Sequence, residues 1–278
     1  MSAESLALIS ATSPVSTAAG VTVEIGGIPI LLRSDDAEFR WMVEQRYASF
    51  VNTCFEPRYQ FEIDLRPPAE PSDEDAHVTR DGRLWRFERG DFRAEWDPQL
   101  CRGWVRQTPN PYSIDTILRI VHSLVLAEEG GFLVHAASAV RSGSAYIFTG
   151  VSGAGKTTIS RLAPENVAVL TDEISYVRRG RNGYRAYGTP FAGELARVGE
   201  NLSAPLGALY FLEKGPANRL EPIDDATAAR LLLRNILFFA HDDELVKLVF
   251  DAAFEFVSNV PVFRFVFTPD SRAWDMVG

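Results

Sequence analysis

A chain of 278 residues with 46% hydrophobic content is long enough for one large domain or two modest ones, with a core that needs no covalent staples. Its net charge of -9 argues against nucleic acid as a partner, because neutralising a phosphate backbone takes Lys and Arg. No apolar run reaches the length of a membrane span, since charges such as Arg234 and Asp251 interrupt the most apolar segments. Cys54 and Cys101 supply neither a disulfide framework nor metal-ligand spacing and read as core or half-buried thiols in a reducing cytoplasm.

Residues 1–20 are rich in Ser, Ala and Thr, carry no basic start and hold only the short apolar run Leu6–Ile9, which reads as a flexible tail rather than a leader or anchor. Val21–Ile25, Gly26-Gly27 and Ile28–Leu32 predict a hairpin. Asp36 opens a helix expected to run to residue 50, with Phe39, Met42, Val43 and Tyr47 at helical offsets. Tyr59–Leu65 alternates as a half-buried strand does, and after a Pro-rich acidic loop over 66–75 three or four short strands follow, punctuated by Asp81-Gly82 and Gly90-Asp91. Their Leu84, Phe87, Phe92, Trp96 and Trp104 read as core, since an aromatic stripe on antiparallel strands usually packs inward, with a ligand cage as the alternative. Thr108-Pro-Asn-Pro111 is a rigid polar joint, so residues 21–110 are expected to form an α+β, antiparallel-strand-rich N-terminal subdomain and 111–278 a second, nucleotide-binding core.

In that second part Ser113 is placed as the cap of a helix from Ile114 to Glu129, ended by Gly130-Gly131. Strands are expected over Phe132–Val140, 145–149, Val167–Leu170, Ile174–Val177, Tyr184–Tyr187, Ala208–Leu212 and Val262–Phe267. Helices are expected over 157–163, from Asp225 to about Ala240, and from Asp242 to about Asn259.

The chemistry gathers around Gly150-Val-Ser-Gly-Ala-Gly-Lys-Thr-Thr158, which satisfies the Walker A pattern G-x-x-x-x-G-K-[ST] through Gly150, Gly155, Lys156 and Thr157. Gly150, Gly153 and Gly155 allow the backbone to curl with its N–H groups of Ser152, Gly153, Ala154 and their neighbours turned toward phosphate oxygens. Lys156 adds a positive charge, Thr157 a hydroxyl for Mg²⁺, and Thr158 stands in the first turn of the helix that follows. An apolar strand leads in and a helix leads out, the context that separates a P-loop from a flexible glycine turn. Asp172-Glu173 ends the strand after this helix, 16 positions beyond Lys156, where a base or metal-binding carboxylate is wanted, unless the pair is a solvated turn. His135, on the strand expected beside the loop strand, reads either as a hydrogen-bonded core histidine or as a site residue. Arg178, Arg179, Arg181 and Arg185 make a basic patch that suits an acidic peptide, phosphates or plain solvent. Glu194 and Arg197 lie in the loop beyond it.

Three pieces taken together, His135-Ala-Ala-Ser-Ala, Gly-Val-Ser-Gly-Ala-Gly-Lys-Thr-Thr and Leu170-Thr-Asp-Glu, resemble the HPr serine kinase/phosphorylase family and its relatives the ATP-dependent phosphoenolpyruvate carboxykinases, closely over residues 132–178. The resemblance implies an α/β fold with a P-loop, HPr-kinase/carboxykinase-like core and an ATP-dependent kinase activity. It implies ATP and Mg²⁺ as cofactors, with Lys156 and Thr157 on phosphate and metal, Asp172 as base or metal ligand, and His135 near the transferred phosphate. Glu173 stands where the family usually has a second Asp. The Ile-Arg-Gly-Leu-Gly-Ile signature of true HPr kinases is absent from the sequence, so the expected acceptor is a serine hydroxyl of a peptide or another protein, or a small molecule. The alternatives are carboxykinase-like phosphoryl transfer, or a non-catalytic ATP-binding protein of a peptide-modification pathway. No nucleic acid or membrane partner is expected, and a homo-oligomer is compatible with the resemblance.

Overall fold

The computed structural model describes residues 19–53, 56–67, 75–191 and 199–278. Most of the tail expected over residues 1–20 lies outside them, as do Cys54, Glu194 and Arg197. The described chain is mixed α/β and mostly strand, built on two large sheets. It divides into two compact units, one holding Ile28–Ile114 with the residues up to Glu24, the other Asp115–Gly278 with the turn Ile25–Gly27.

The first unit is an eight-stranded sheet. Its members are β1 (Gly20–Ile25), β2 (Ile28–Arg33), β3 (Val51–Asn52), β4 (Tyr59–Leu65), β5 (His77–Asp81), β6 (Leu84–Arg89), β7 (Phe92–Asp97) and β8 (Arg102–Gln107), in the order β3-β1-β2-β4-β8-β7-β6-β5. The β1–β2 turn needs positive φ at both central residues, and Gly26 (62°) and Gly27 (74°) provide it. Alternation places Tyr59, Phe61 and Ile63 of β4 in the core with Phe87, Phe92 and Trp96. Tyr59 meets Trp96 edge to face at 5.2 Å, the geometry of packed rings. The helix α1 (Ala37–Arg46) is capped by Asp36, whose carboxylate accepts from the Phe39 amide at 2.8 Å. It stops before residue 50, because Ala48–Phe50 tightens into a 3₁₀ turn that buries Tyr47 and Phe50. Cys101 is exposed in the β7–β8 turn at φ 54° rather than buried.

The helix α2 (Pro111–Glu128) starts three residues before the expected Ile114. Asn110, not Ser113, caps it: the Asn110 Oδ1 accepts from the amides of Tyr112 and Ser113 at 2.9 and 3.0 Å, and Pro111 suits a first turn that needs no N–H. Ser113 is buried instead and donates its hydroxyl to Asp91 at 2.6 Å.

The second unit contains β9 (Phe132–Arg141), β10 (Ser144–Thr149), α3 (Lys156–Arg161), β11 (Ala168–Thr171), β12 (Ile174–Gly180), β13 (Gly183–Tyr187), β14 (Ser203–Lys214), β15 (Arg219–Pro222), α4 (Asp225–Leu233), β16 (Ile236–Leu237), α5 (Asp243–Asn259) and β17 (Val262–Phe267). Its path of paired strands is β10-β9-β12-β13-β14-β17-β15, and a further β10–β14 pairing closes β10, β9, β12, β13 and β14 into a ring. β10, β14 and β17 run parallel to one another while β9 is antiparallel to β10. Phe132, Val134, Ile147, Leu209 and Phe211 from the strands join Leu232 of α4 and Ala253, Phe256 and Val257 of α5 in one buried cluster, each large side chain worth roughly 1.5–3 kcal/mol of burial. The α4 helix ends at Leu233 and not near Ala240, because Ile236 and Leu237 leave it to pair with Val134 and Leu133 of β9. The chain also adds β15 and a C-terminal 3₁₀ segment, Ser271–Met276, neither of which the sequence pattern separates from loop.

Candidate functional site

The β10 strand ends at Thr149, and the chain then turns through Gly150 (φ 149°), Gly153 (76°) and Gly155 (114°) before α3 begins. Left-handed backbone at these positions is available to glycine at little steric cost. At Gly155 a Cβ would stand 2.6 Å from the Phe267 ring, and at Gly150 a Cβ would stand 3.0 Å from the Ala154 methyl and 3.2 Å from the Leu212 carbonyl. The loop is pinned at both ends. The Ala154 amide donates to the Val151 carbonyl at 3.0 Å, the Ile159 amide to Gly155 at 2.9 Å, and the Trp274 indole to the Ile159 carbonyl at 3.0 Å.

A cavity of about 400 Å³ opens against this loop, lined by Ser152, Gly153, Gly155, Lys156, Thr157 and Thr158 together with His135, Asp172, Glu173 and Lys214. Gly150 and Ala154 are not on its wall. Gly150 stands behind it, its carbonyl accepting from the Lys156 ammonium at 3.2 Å, and Ala154 is buried in the apolar cluster with Ile159 and Phe148. Lys156 is only 8% exposed, so its charge is held in place against the loop.

Topology explains how distant residues reach one cavity. Parallel strands end on the same side of a sheet, and ligands bind beyond their carboxyl ends. β10 delivers the loop there, and its parallel neighbour β14 delivers Lys214, in a register that pairs Thr149 with Phe211. On the other side of β10 lies β9, which brings His135: Thr149 donates its hydroxyl to the His135 carbonyl at 2.9 Å, and the His135 amide donates to Asn235 at 2.7 Å. The acidic pair sits one strand further out, where β11 gives way to β12 along β9. The Thr171 hydroxyl accepts from the Glu173 and Ile174 amides at 3.2 and 3.3 Å, and the Glu173 carbonyl accepts from the Ala136 amide at 3.0 Å. Those bonds fix the junction that carries Asp172, which is 4% exposed.

The imidazole of His135 lies 3.5 Å from the Glu173 carboxylate. Its pKa is nevertheless pushed below the ordinary 6.5, first by burial and then by the Lys156 charge, with Glu173 pulling weakly the other way. It is therefore neutral at pH 7 and able to donate or accept a hydrogen bond without adding charge.

Lys214 is the site residue that sequence reading misses. It is a Lys at the end of an apolar run, Ala208–Leu212, and only the parallel pairing of that run with the loop strand marks it. The basic patch goes elsewhere: Arg178 pairs with Glu129 at 2.9 Å, Arg179 with Glu255 at 2.6 Å, and Arg185 bonds Ser203 at 3.1 Å. None of these three lines the cavity. Among the described residues no three or more His, Cys, Asp or Glu side chains converge as a metal cluster, and no helix is long and apolar enough to cross a membrane. A Mg²⁺ ion asks for less: it is typically bound through one or two carboxylates, with water and substrate phosphates completing the shell. Asp172 and Thr157, which both line the cavity, carry hard oxygen donors of that kind.

The chain belongs to the ScmC family, described as SynChlorMet cassette protein ScmC, whose model matches residues 107–278. No curated protein matches the sequence.

Proposed function

We propose that this ScmC-family chain is an ATP-dependent phosphotransferase with a P-loop core of the HPr-kinase-like kind, transferring the γ-phosphate to a hydroxyl of a peptide or small molecule. The observation that carries the reading is the meeting, in one cavity, of a glycine-rich loop, two ammonium groups, a carboxylate pair and an imidazole. Phosphoryl transfer demands that much and little more: phosphates held in position, their charge neutralised, and a carboxylate to handle the nucleophile's proton.

The loop from Ser152 to Thr157 and the ammonium groups of Lys156 and Lys214 bind phosphate oxygens. Thr157 and Asp172 would hold Mg²⁺, which with ATP supplies the transferable phosphoryl group and neutralises its charge. A carboxylate has two oxygens, so Asp172 also orients the acceptor hydroxyl and takes its proton as the acceptor O–P bond forms and the bond to the β-phosphate oxygen breaks, ADP leaving with the electron pair. His135 serves as an uncharged hydrogen-bonding group beside the phosphates, and Glu173 braces it.

The test is transfer of label from Mg·[γ-³²P]ATP to a broad acceptor panel. Transfer is expected in the parent protein and a fall of about 10²–10³-fold in Lys156→Ala and Asp172→Asn, the usual loss when a charge-stabilising group is removed. Transfer undiminished in both variants, or no binding of Mg·ATP at all, sinks the reading.

A further inference from the structure

A second cavity, of about 380 Å³, lies along the flank of α3 and β11, and its walls include Ser160, Arg161, Glu165, Thr171, Asp172 and Glu200. Among the described residues Asp172 is the one residue that lines both this cavity and the one against the glycine-rich loop. We infer that the second cavity is the acceptor subsite of the proposed phosphotransferase, and that it takes an alcohol carrying a cationic group a few bonds from its hydroxyl. The inference rests on the reading of the first cavity as the ATP site.

Two physical requirements lead there. In phosphoryl transfer the attacking and leaving oxygens lie roughly in line through phosphorus, so the acceptor enters opposite the leaving ADP and not through the space the nucleotide fills. The residue that takes the hydroxyl's proton must then border both compartments, and Asp172 lines both. A volume near 380 Å³ falls at the small end of the roughly 300–1,000 Å³ of small-molecule pockets. That accommodates an amino alcohol, or a seryl residue with one neighbour.

Charge sets the class. Apart from Asp172, which serves the metal and the hydroxyl's proton, the described residues of the wall carry the carboxylates of Glu165 and Glu200 against the guanidinium of Arg161, an excess that favours a cation and repels an anion. The Glu200 side of the wall is fixed by backbone packing. The Glu200 amide approaches the Val169 carbonyl of β11 at 3.5 Å. A Cβ on Gly199 would fall 1.7 Å from the Leu170 carbonyl oxygen, and one on Gly188 would fall 1.8 Å from that of Glu200. Chains that pass this closely cannot slide, so the backbone that carries Glu200 is held against the cavity wall.

The experiment compares acceptors of matched size in the full-length protein with Mg·ATP: ethanolamine and choline, neutral ethylene glycol, anionic glycerate, and short serine peptides flanked by Lys or by Glu. Cationic acceptors are expected to exceed anionic ones by at least roughly tenfold in kcat/KM, and the better of the amino-alcohol and peptide arms names the source. Glu200→Lys and Glu165→Lys, both at exposed positions, should raise the acceptor KM about tenfold and leave the KM for ATP within about twofold, with Glu200→Gln intermediate. An acceptor KM indifferent to both reversals, or a preference for anions, overturns the inference. Binding of Mg·ATP without transfer to any cationic acceptor overturns it too and leaves the nucleotide site standing, whereas absence of Mg·ATP binding overturns the underlying reading and this one with it.

Discussion

Gly155→Ala tests the geometry of the site most directly, because two separate penalties meet at that residue and a neighbour carries only one of them. At φ 114° Gly155 lies well outside the small left-handed region open to other residues, a strain of about 1–3 kcal/mol. Its new methyl would also sit 2.6 Å from Cζ and 3.0 Å from Cε1 of Phe267, a ring that is 1% exposed. Relief to ordinary contact needs a shift approaching 1 Å in a close-packed interior, an overpacking cost of about 1–3 kcal/mol. The sum is a destabilisation of about 2–6 kcal/mol. Gly153, at φ 76° with nothing within 4 Å of its virtual Cβ, carries the backbone term alone, and Gly153→Ala should cost about 1–2 kcal/mol. Urea unfolding followed by amide exchange in β10 and β17 measures both. Phe267→Leu should recover part of the loss in the Gly155→Ala background and none in the Gly153→Ala background, since it removes ring atoms and not backbone strain. If Gly155→Ala and Gly153→Ala agree within about 0.5 kcal/mol, the loop does not pack on Phe267 as described.

Lys156→Met removes a charge whose field lowers the His135 pKa, so the imidazole titration followed by NMR should move up, and affinity for Mg·ATP should fall about 10–100-fold for one lost charged hydrogen bond. A His135 titration that does not move rejects Lys156 as the source. With its folded pKa depressed, His135 contributes stability that is complete above its ordinary 6.5 and is lost as pH falls through the lower folded value. His135→Gln should flatten that decline in a pH series of denaturant midpoints, and an unchanged slope would assign it to other groups. In the first unit, burial opposes the charge of Asp91, but bonds from Arg89 at 2.6 and 2.8 Å and from Ser113 at 2.6 Å outweigh it and hold its pKa below 3.8. Its stabilisation is therefore present above 3.8 and lost as pH falls through the lowered value. Asp91→Asn should cost about 2–3 kcal/mol at pH 7 by leaving Arg89 underpaired, and a loss below about 0.5 kcal/mol would show that the cluster adds nothing.

Local chemistry made much of this protein legible in its sequence. The Gly26-Gly27 turn and the alternating Tyr59–Leu65 strand stand at their expected positions, because period-two burial and left-handed glycines are properties of adjacent residues, and the closing strand Val262–Phe267 is marked by its run of Val and Phe. The glycine-rich loop and the strand leading into it are legible for the same reason. Helix ends were less so: Ser113 competes as a cap with Asn110 three residues earlier, and Asn110 prevails because Ser113 is drawn to Asp91. α4 stops early because two of its expected residues find strand partners on β9.

Composition and local spacing supply the residue types for phosphate chemistry, namely the loop glycines, Lys156, Thr157, His135 and the Asp172-Glu173 pair. Which of them meet is a matter of how the sheet assembles. Strand pairing carries no local signal, since any apolar strand can lie beside any other until the sheet is assembled. The parallel pairing of β14 with β10 is what turns Lys214 from a surface residue into part of the cavity, and the antiparallel path of β9 is what sets His135 between the loop and the acidic pair. Asp172 owes its place between two cavities to the same cause: it lies where β11 hands over to β12 along a single strand, a junction defined by partners that are distant in the chain.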